Sequence, residues 1–354
     1  MNREVLHDSS RTYGGMLERV TIGDVAERAG VSIATVSRVV NGRYGVAPAT
    51  LDRVKVVIAD LGYESSLVAR SLRSQRTNVI GVLVTDIEPF SAEVLKGAAK
   101  ALRGGEYELV VYSGGHGGDH VGWERRYMSR LSGTLTDGTV LVTPTVTEVP
   151  TNQPVVAVDP HSGASAFPTF ASQNFEGALS ATRHLTDLGH RRIGFLGGRG
   201  DLESARLREQ GYRAGLEEAG IVFDPELVLD GGFQESTAEA PARRLLSLAR
   251  RPTAIFAAND LSAIQTMRTA TELGLKVPDD LSVIGFDNVP ESALTHPPLT
   301  TVAQPIQTLG YEAVRMLITL IEQPDRRLAP PTQVALPTEL VVRSSTAPPR
   351  QDRS

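Results

Sequence analysis

From residue 79 onward, short Val/Ile-rich runs alternate with amphipathic stretches, and this alternation restricts the fold more than any other feature of the chain. The runs are NVIGVLV (78–84), YELVVYSG (107–114), GTVLV (138–142), PVVAVD (154–159), RRIGFLGG (191–198), TAIFAAND (253–260) and LSVIGFDN (281–288). They are near-continuously apolar rather than alternating, the pattern of strands covered on both faces and hence of parallel sheets. Between them lie helical patterns: PFSAEVLKGAAKALR (89–103), NFEGALSATRHLTDLGH (174–190), DLESARLREQGYRAGLEEAG (201–220) and DLSAIQTMRTATELG (260–274). Strand and helix in alternation predict an α/β body. Seven strands over about 210 residues fit two doubly wound sheets better than one.

Several chemistries are excluded early. The chain has no cysteine, so disulfides, thiolate metal sites and a cysteine nucleophile are ruled out. No apolar run reaches the roughly 18 residues of a membrane span, and the first residues lack the apolar core of a secretory signal. A cytoplasmic protein without membrane partners is expected. The loop Gly194-Phe-Leu-Gly197-Gly198-Arg-Gly200 follows a strand, but its spacing is not that of a dinucleotide loop. His116 and His120 flank Asp119 in a Gly-rich stretch that reads as a solvated loop rather than a metal site. With no phosphate-loop, zinc-protease or nucleophile-elbow motif, neither a catalytic site nor a cofactor is expected.

Residues 16–78 carry nine Arg/Lys against six Asp/Glu, a net of +3, whereas residues 79–354 hold −8. The basic segment also has a different rhythm. Thr21-Ile-Gly-Asp24 has the form of a capping box, and a helix over 22–29 places Ile22, Val25, Ala26 and Ala29 on one face. Gly30 supplies a left-handed stop, Ser32 caps a second helix over 33–40, and Asn41-Gly42 ends it. A third helix starts near Pro48 and runs to Gly62. Two short helices joined by a Gly-containing turn form a helix-turn-helix, whose second helix enters the DNA major groove. Arg38 is suited to reading guanine, and Ile33 and Ala34 to meeting thymine methyls. Thr21, Ser32, Thr35, Ser37 and Asn41 complete the expected DNA-contacting set. On the pattern alone, a three-helix domain without nucleic acid remains open.

Residues 20–42, VTIGDVAERAGVSIATVSRVVNG, resemble the DNA-binding head of the lac repressor (LacI/GalR) family, and the resemblance runs to about residue 345. It implies a dimeric regulator that binds double-stranded operator DNA (a tetramer stays open). One departure is Leu51, where many members carry Arg. The segment SLVARSLR (66–73) reads by itself as a flexible linker, because so short a helix is unstable alone. The resemblance makes it a hinge helix in which Leu72 wedges into the minor groove, Ala69 allows two copies to touch and Arg73 supplies a basic contact. The expected divisions are a disordered leader over 1–19, with Met16 a candidate start, a head over 20–62 and a hinge over 63–78. The body takes 79–345, split into 79–170 plus 306–333 and 171–303 plus 334–345, and a disordered tail takes 346–354.

In open α/β sheets ligands sit beyond the carboxyl ends of the strands. Those ends carry Asp86, Asp159, Asn259-Asp260 and Asp287-Asn288, groups suited to the paired hydroxyls of a sugar. Asp260 reads as a helix cap. Phe90, Trp123, Phe175 and Phe233 are candidates to stack on a sugar's apolar face. The resemblance implies a type I periplasmic-binding-protein-like body sensing a small-molecule effector, a mono- or oligosaccharide. It carries ligand roles onto Arg208 in SARLREQGY, Asn259 in FAAND, Asp287 in IGFDN and Gln304 in LTTVAQP. Between Val142 and Pro154 the chain is too short for the helix expected there. A sugar-uptake protein and an α/β sugar enzyme are the alternatives; residues 20–62 and the absent catalytic motifs speak against them.

Overall fold

The computed structural model describes residues 20–40, 45–62, 76–114, 122–131, 135–162, 165–328 and 330–350. The chain divides into two units, one up to Gln75 and one from Arg76, each treated by itself. The expected leader, hinge residues 63–75, the histidine loop and residues 351–354 lie outside the described residues.

In the first unit, local chemistry sets the helix ends. Helix α1 (Ile22–Ala29) begins at a complete capping box: Thr21 N and Oγ1 both donate to Asp24 Oδ2 at 2.7 Å, and Asp24 N donates to Thr21 Oγ1. It ends at Gly30, whose φ of 62° is left-handed. Helix α2 (Ile33–Val40) starts at Ser32, whose hydroxyl accepts from Thr35 N. Helix α3 (Pro48–Leu61) opens on proline and closes at Gly62, also left-handed. Small side chains fill the core: Val25, Ala26, Ala29, Val36, Val39, Val54 and Val57. Leu51 packs half-buried against them, so the aliphatic residue has a packing role where a basic one was expected.

The second unit contains two six-stranded sheets. The first runs β11-β5-β4-β3-β1-β2: β1 (Val79–Val84), β2 (Glu108–Ser113), β3 (Gly138–Val142), β4 (Val155–Val158), β5 (Thr169–Ser172) and β11 (Gln333–Leu336), all parallel. The second runs β12-β10-β9-β8-β6-β7: β6 (Ile193–Gly197), β7 (Val228–Asp230), β8 (Ala254–Ala257), β9 (Ser282–Asp287), β10 (Thr300–Ala303) and β12 (Glu339–Val341). Among the described strands, only β12 is antiparallel to its neighbour. The chain crosses between sheets three times, after Ser172, Ala303 and Leu336. The expected divisions at 170 and 333 therefore need correcting: they cut β5 and β11, which pair with each other over their full length.

Helix α4 (Pro89–Ala101) and helix α10 (Ile306–Glu322) cover one face of the first sheet. They meet closely because two glycines face two carbonyls: a Cβ on Gly97 would lie 1.9 Å from Gln307 O, and one on Gly310 would lie 2.1 Å from Val94 O. Helix α5 (Trp123–Leu131) covers the other face with Met128 and Leu131. The second sheet is flanked by α6 (Asn174–Asp187) and α7 (Glu203–Glu218), and by α8 (Glu235–Leu246) and α9 (Asp260–Glu272). Residues 143–154 form no helix, in line with the short sequence there.

The tail from 346 is not disordered as far as residue 350, which corrects the expectation. Buried His190 and Ser282 both bond Ala347 O, and Arg350 pairs with Asp280. These partners tie the segment to the second sheet.

Candidate functional site

The head presents one exposed helix face. Ile33, Ala34 and Arg38 on α2 are exposed, Ile33 at 54%, while Val36 and Val39 face inward. An exposed isoleucine at a helix start makes sense where that end meets another surface. Thr35 and Ser37 are half-buried at the edge of that face. Ser32 Oγ and Thr35 Oγ1 lie 2.9 Å apart, and Thr21 is engaged in its cap. Their hydroxyls thus hold the fold locally while lying at helix starts, where backbone N–H groups and the helix dipole favour phosphate. Asn41, Ala69, Leu72 and Arg73 lie outside the described residues.

In the body, the carboxyl ends of the strands open onto one cleft, about 1150 Å³ including its mouth. Asp86 follows β1, Asp159 follows β4, Asn259 follows β8 and Asp287 ends β9; all four line it, together with Phe90, Trp123, Arg208 and Phe233. Gln304 and Phe175 do not line it. Gln304 instead stands behind the cleft, its Nε2 donating to Asp287 Oδ1 at 2.6 Å. Phe175 sits in the first turn of α6, where its carbonyl meets Gly211.

Arg208 is the centre of the second-sheet wall. The residue is 4% exposed, and its guanidinium is held at Nε and Nη1. Nε donates to Asn174 Oδ1 (2.9 Å) and Nη1 to Ala258 O (2.6 Å), with Asp287 Oδ1 at 3.4 Å. The ring of Phe286 lies 3.9 Å from its carbon and that of Phe233 5.5 Å. A buried cation stacked on aromatic faces and hydrogen-bonded in its own plane is fixed before any ligand arrives. Burial pushes the Asp287 carboxyl up to about 7, against the opposing pull of Arg208 and Gln304. Burial likewise raises Asp159, countered by Arg208, Ser204 and Asn174.

Asn259 caps α9, its Oδ1 accepting from Ser262 N, and its Nδ2 donates to Phe233 O. Asp260 is not the cap that its position suggested. Fully buried, it accepts from Val289 N and Thr301 Oγ1, tying β10 to the turn after β9. The glycine-rich run after β6 also finds its reason here. A Cβ on Gly198 would lie 2.1 Å from the Phe233 ring, so glycine there makes room for the aromatic wall.

The first-sheet wall holds residues that the sequence reading missed. His161, two residues after Asp159, lines the cleft, and burial pushes its imidazole down to about 4, so it is neutral at pH 7. Thr143 and Thr145 contribute from the loop after β3, and Arg199 and Ser204 from across the cleft. Glu88 lines the cleft but its carboxylate caps α4, accepting from Phe90 N, Ser91 N and Ser91 Oγ. Trp123 is placed by Gly114, where a Cβ would lie 2.4 Å from the indole, and by the edge of Tyr127. Fully buried Glu124 accepts from Thr145 N and Oγ1, fastening the start of α5 to the loop after β3. Thr143, Asp159, Phe233 and Asp287, all cleft residues, have positive φ (49°, 48°, 64° and 119°). Such conformations cost energy in non-glycine residues and collect at sites the surrounding structure holds rigid. Thr143 and Asp159 directly follow their strands and Asp287 ends its own, so the left-handed turns fall where these strands meet the cleft, a signal no spacing rule reads.

Comparison with known proteins places these two sites in context. Residues 21–66 match the model of the bacterial regulatory proteins of the lacI family, and residues 182–346 match a periplasmic binding protein-like domain. The chain is 34% identical over 335 residues to the HTH-type transcriptional repressor PurR of Photobacterium profundum, covering 92% of this chain and 98% of that one. Among solved structures, a lac repressor dimer bound to operator and the anti-inducer ONPF aligns with a TM-score of 0.78 at 29% identity, over 93% of this chain and all of that one. A complex of the transcriptional regulator CelR with cellobiose aligns with a TM-score of 0.68 at 31% identity, over 92% of this chain and all of that one.

Proposed function

The chain belongs to the LacI family of bacterial regulatory proteins and is a DNA-binding transcriptional regulator governed by a small-molecule effector; from that premise we propose that it is a dimeric cytoplasmic repressor whose effector is a neutral, hydroxyl-rich saccharide. The observation that carries this reading is the fixed set of Asp287, Arg208 and Asn259 on one wall, with aromatic rings of Phe90, Trp123 and Phe233 around the same cleft. A carboxylate and a guanidinium side by side accept from and donate to adjacent hydroxyls, and aromatic faces cover the C–H side of a sugar ring. The cellobiose bound by CelR is a ligand of this class.

Charge narrows the class. The cleft is lined by Asp86, Glu88, Asp159 and Asp287 against Arg199 and Arg208. Arg199 is paired with Asp201 and Arg208 with Asp287, and the third basic side chain, His161, is neutral. The surplus of acidic side chains would repel the phosphate of a phosphorylated sugar, whereas a neutral sugar meets no such repulsion. Recognition of DNA rests on α2, with Arg38 reading bases and Thr21, Ser32, Thr35, Ser37 and Asn41 serving the backbone. Leu72, Ala69 and Arg73 act in the minor groove, by their resemblance to the family's hinge. Sugar binding is read as releasing the operator.

A thermal-shift screen against neutral mono- and disaccharides, their 6-phosphates and nucleosides tests this reading, with operator binding measured for each hit. The expected result is a shift with neutral sugars only, reversed by Asp287→Ala. That variant loses roughly a hundredfold in affinity, two charge-assisted hydrogen bonds at about 1.5 kcal/mol each. A shift with nucleosides or 6-phosphates alone would overturn the proposal.

A further inference from the structure

Residues 77–79 are where the body takes up the chain arriving from the head, and they are bonded on every side. Asp137 Oδ1 accepts from Thr77 N (2.6 Å) and Thr77 Oγ1 (2.9 Å), and Asp137 Oδ2 accepts from Asn78 N (2.9 Å). Thr77 is 4% exposed, and its hydroxyl also accepts from Val79 N. The backbone is held from β2 and from the residue before β3: Glu108 N donates to Asn78 O and Asp137 N to Val79 O, each at 2.8 Å. Asn78 has φ 55°, a left-handed turn that asparagine tolerates better than most residues. With six hydrogen bonds and a special dihedral over three residues, this point has no freedom to swivel.

Strand β1 starts at Val79, and all six of its residues are buried. It ends at Val84, and the next two residues, Thr85 and Asp86, form part of the cleft lip. At about 3.3 Å per residue, the five steps of β1 span roughly 17 Å. One stiff strand, held between β2 and β3, therefore joins the cleft to the point where the chain leaves for the head.

We propose that Asp137 is a positioning residue for operator binding. Its carboxylate fastens the incoming chain to the first sheet, so that the point at which the chain enters the body is fixed. Without the carboxylate, Thr77 N, Thr77 Oγ1 and Asn78 N lose their acceptor, and three of the six hydrogen bonds are gone. The chain leading to each head then starts from a less sharply fixed point, and the ordering lost in the protein must be recovered at binding. The inference does not depend on the chemical identity of the effector.

The test uses the full-length chain and an operator duplex obtained by selecting random-sequence DNA against the parent protein. Affinities for that operator and for a scrambled duplex are measured by fluorescence anisotropy for the parent, Asp137→Ala, Asp137→Asn and Val156→Ala, each with its melting temperature. Val156 is a fully buried core residue of the same sheet and controls for lost stability. Asp137→Ala is expected to weaken operator binding at least tenfold while changing scrambled-duplex binding less than twofold. Asp137→Asn should fall between parent and Asp137→Ala, because an amide can accept from Thr77 but sets its own N–H against that of Asn78. Val156→Ala should melt lower yet bind operator as the parent does. Asp137→Ala within twofold of the parent on operator, or a Val156→Ala variant of equal melting loss that weakens binding equally, would overturn the proposal.

Discussion

At the scale of single residues, the cleft contains two groups whose ionisation is opposed. Burial raises Asp287 to about 7, so between about pH 4 and 7 the folded chain holds a proton that the unfolded chain releases. Its contribution to stability therefore falls as pH rises through that window and is level above it. Burial lowers His161 to about 4, so below about pH 6.5 the unfolded chain binds a proton that the folded one refuses. Its contribution falls as pH drops, as it does for His184 and His190, both also lowered by burial. The parent's pH profile mixes the two senses, and Asp287→Asn separates them. Relative to the parent, Asp287→Asn is expected to melt higher at pH 8 than at pH 5.5, and a difference constant between these values would show that Asp287 does not titrate there. A sugar that binds the ionised carboxylate should also bind more tightly at pH 8 than at pH 6, which calorimetry at the two values checks.

At the scale of elements, the head shows how little sequence a DNA-reading surface needs. Caps at Thr21 and Ser32 and a left-handed glycine at Gly30 set where α1 and α2 start and stop, and valine and alanine let them pack closely. The side chain of Arg38, on the exposed face of α2, has no hydrogen bond or ion pair among the described residues. Arg38→Ala is expected to lower the preference for the operator's best base by about 1–3 kcal/mol while changing binding to scrambled DNA little, as measured by competition with single-base operator variants. A uniform loss on all sequences would instead make Arg38 a phosphate contact. In the body, the crossing of α4 and α10 rests on Gly97 and Gly310, where any side chain would strike backbone. No periodicity points to that requirement, because it arises between helices more than 200 residues apart in the chain.

At the scale of the whole molecule, charge is partitioned, with a net of +3 over residues 16–78 and −8 over 79–354. The acidic body adds no attraction to DNA, so affinity has to come from the heads and from pairing two of them on one duplex. Footprinting is expected to show two-fold symmetric protection. If two heads together neutralise six or more phosphates, raising salt from 50 to 200 mM should weaken operator binding by roughly 10³-fold. A salt response of less than tenfold would mean that base contacts rather than phosphate contacts carry the affinity. Exposed Val110 and Val111 on edge strand β2 leave an apolar rim on the first sheet, compatible with a paired state.

Local and periodic features were legible in the residue order alone. The seven principal strands, the four helical stretches between them, the caps of the head and the acidic strand ends all follow from nearest-neighbour chemistry and from burial periods, which are properties of short windows. Short or polar strands such as β5, β7, β11 and β12 carried no such signal, because each becomes a strand only by pairing at a sheet edge or next to one. The same limit governed the site. Asp86, Asp159, Asn259 and Asp287 could be named because strand ends point to a cleft, whereas His161, Thr143 and Arg199 entered it only through loop paths. Gln304 and Asp260 illustrate the converse: both lie at marked positions, but their partners across the sheet turn them toward Asp287 and Val289 rather than toward the cleft. Which polar group faces a ligand and which one holds it there depends on hydrogen bonds between residues distant in sequence, and only the folded chain brings those residues within reach.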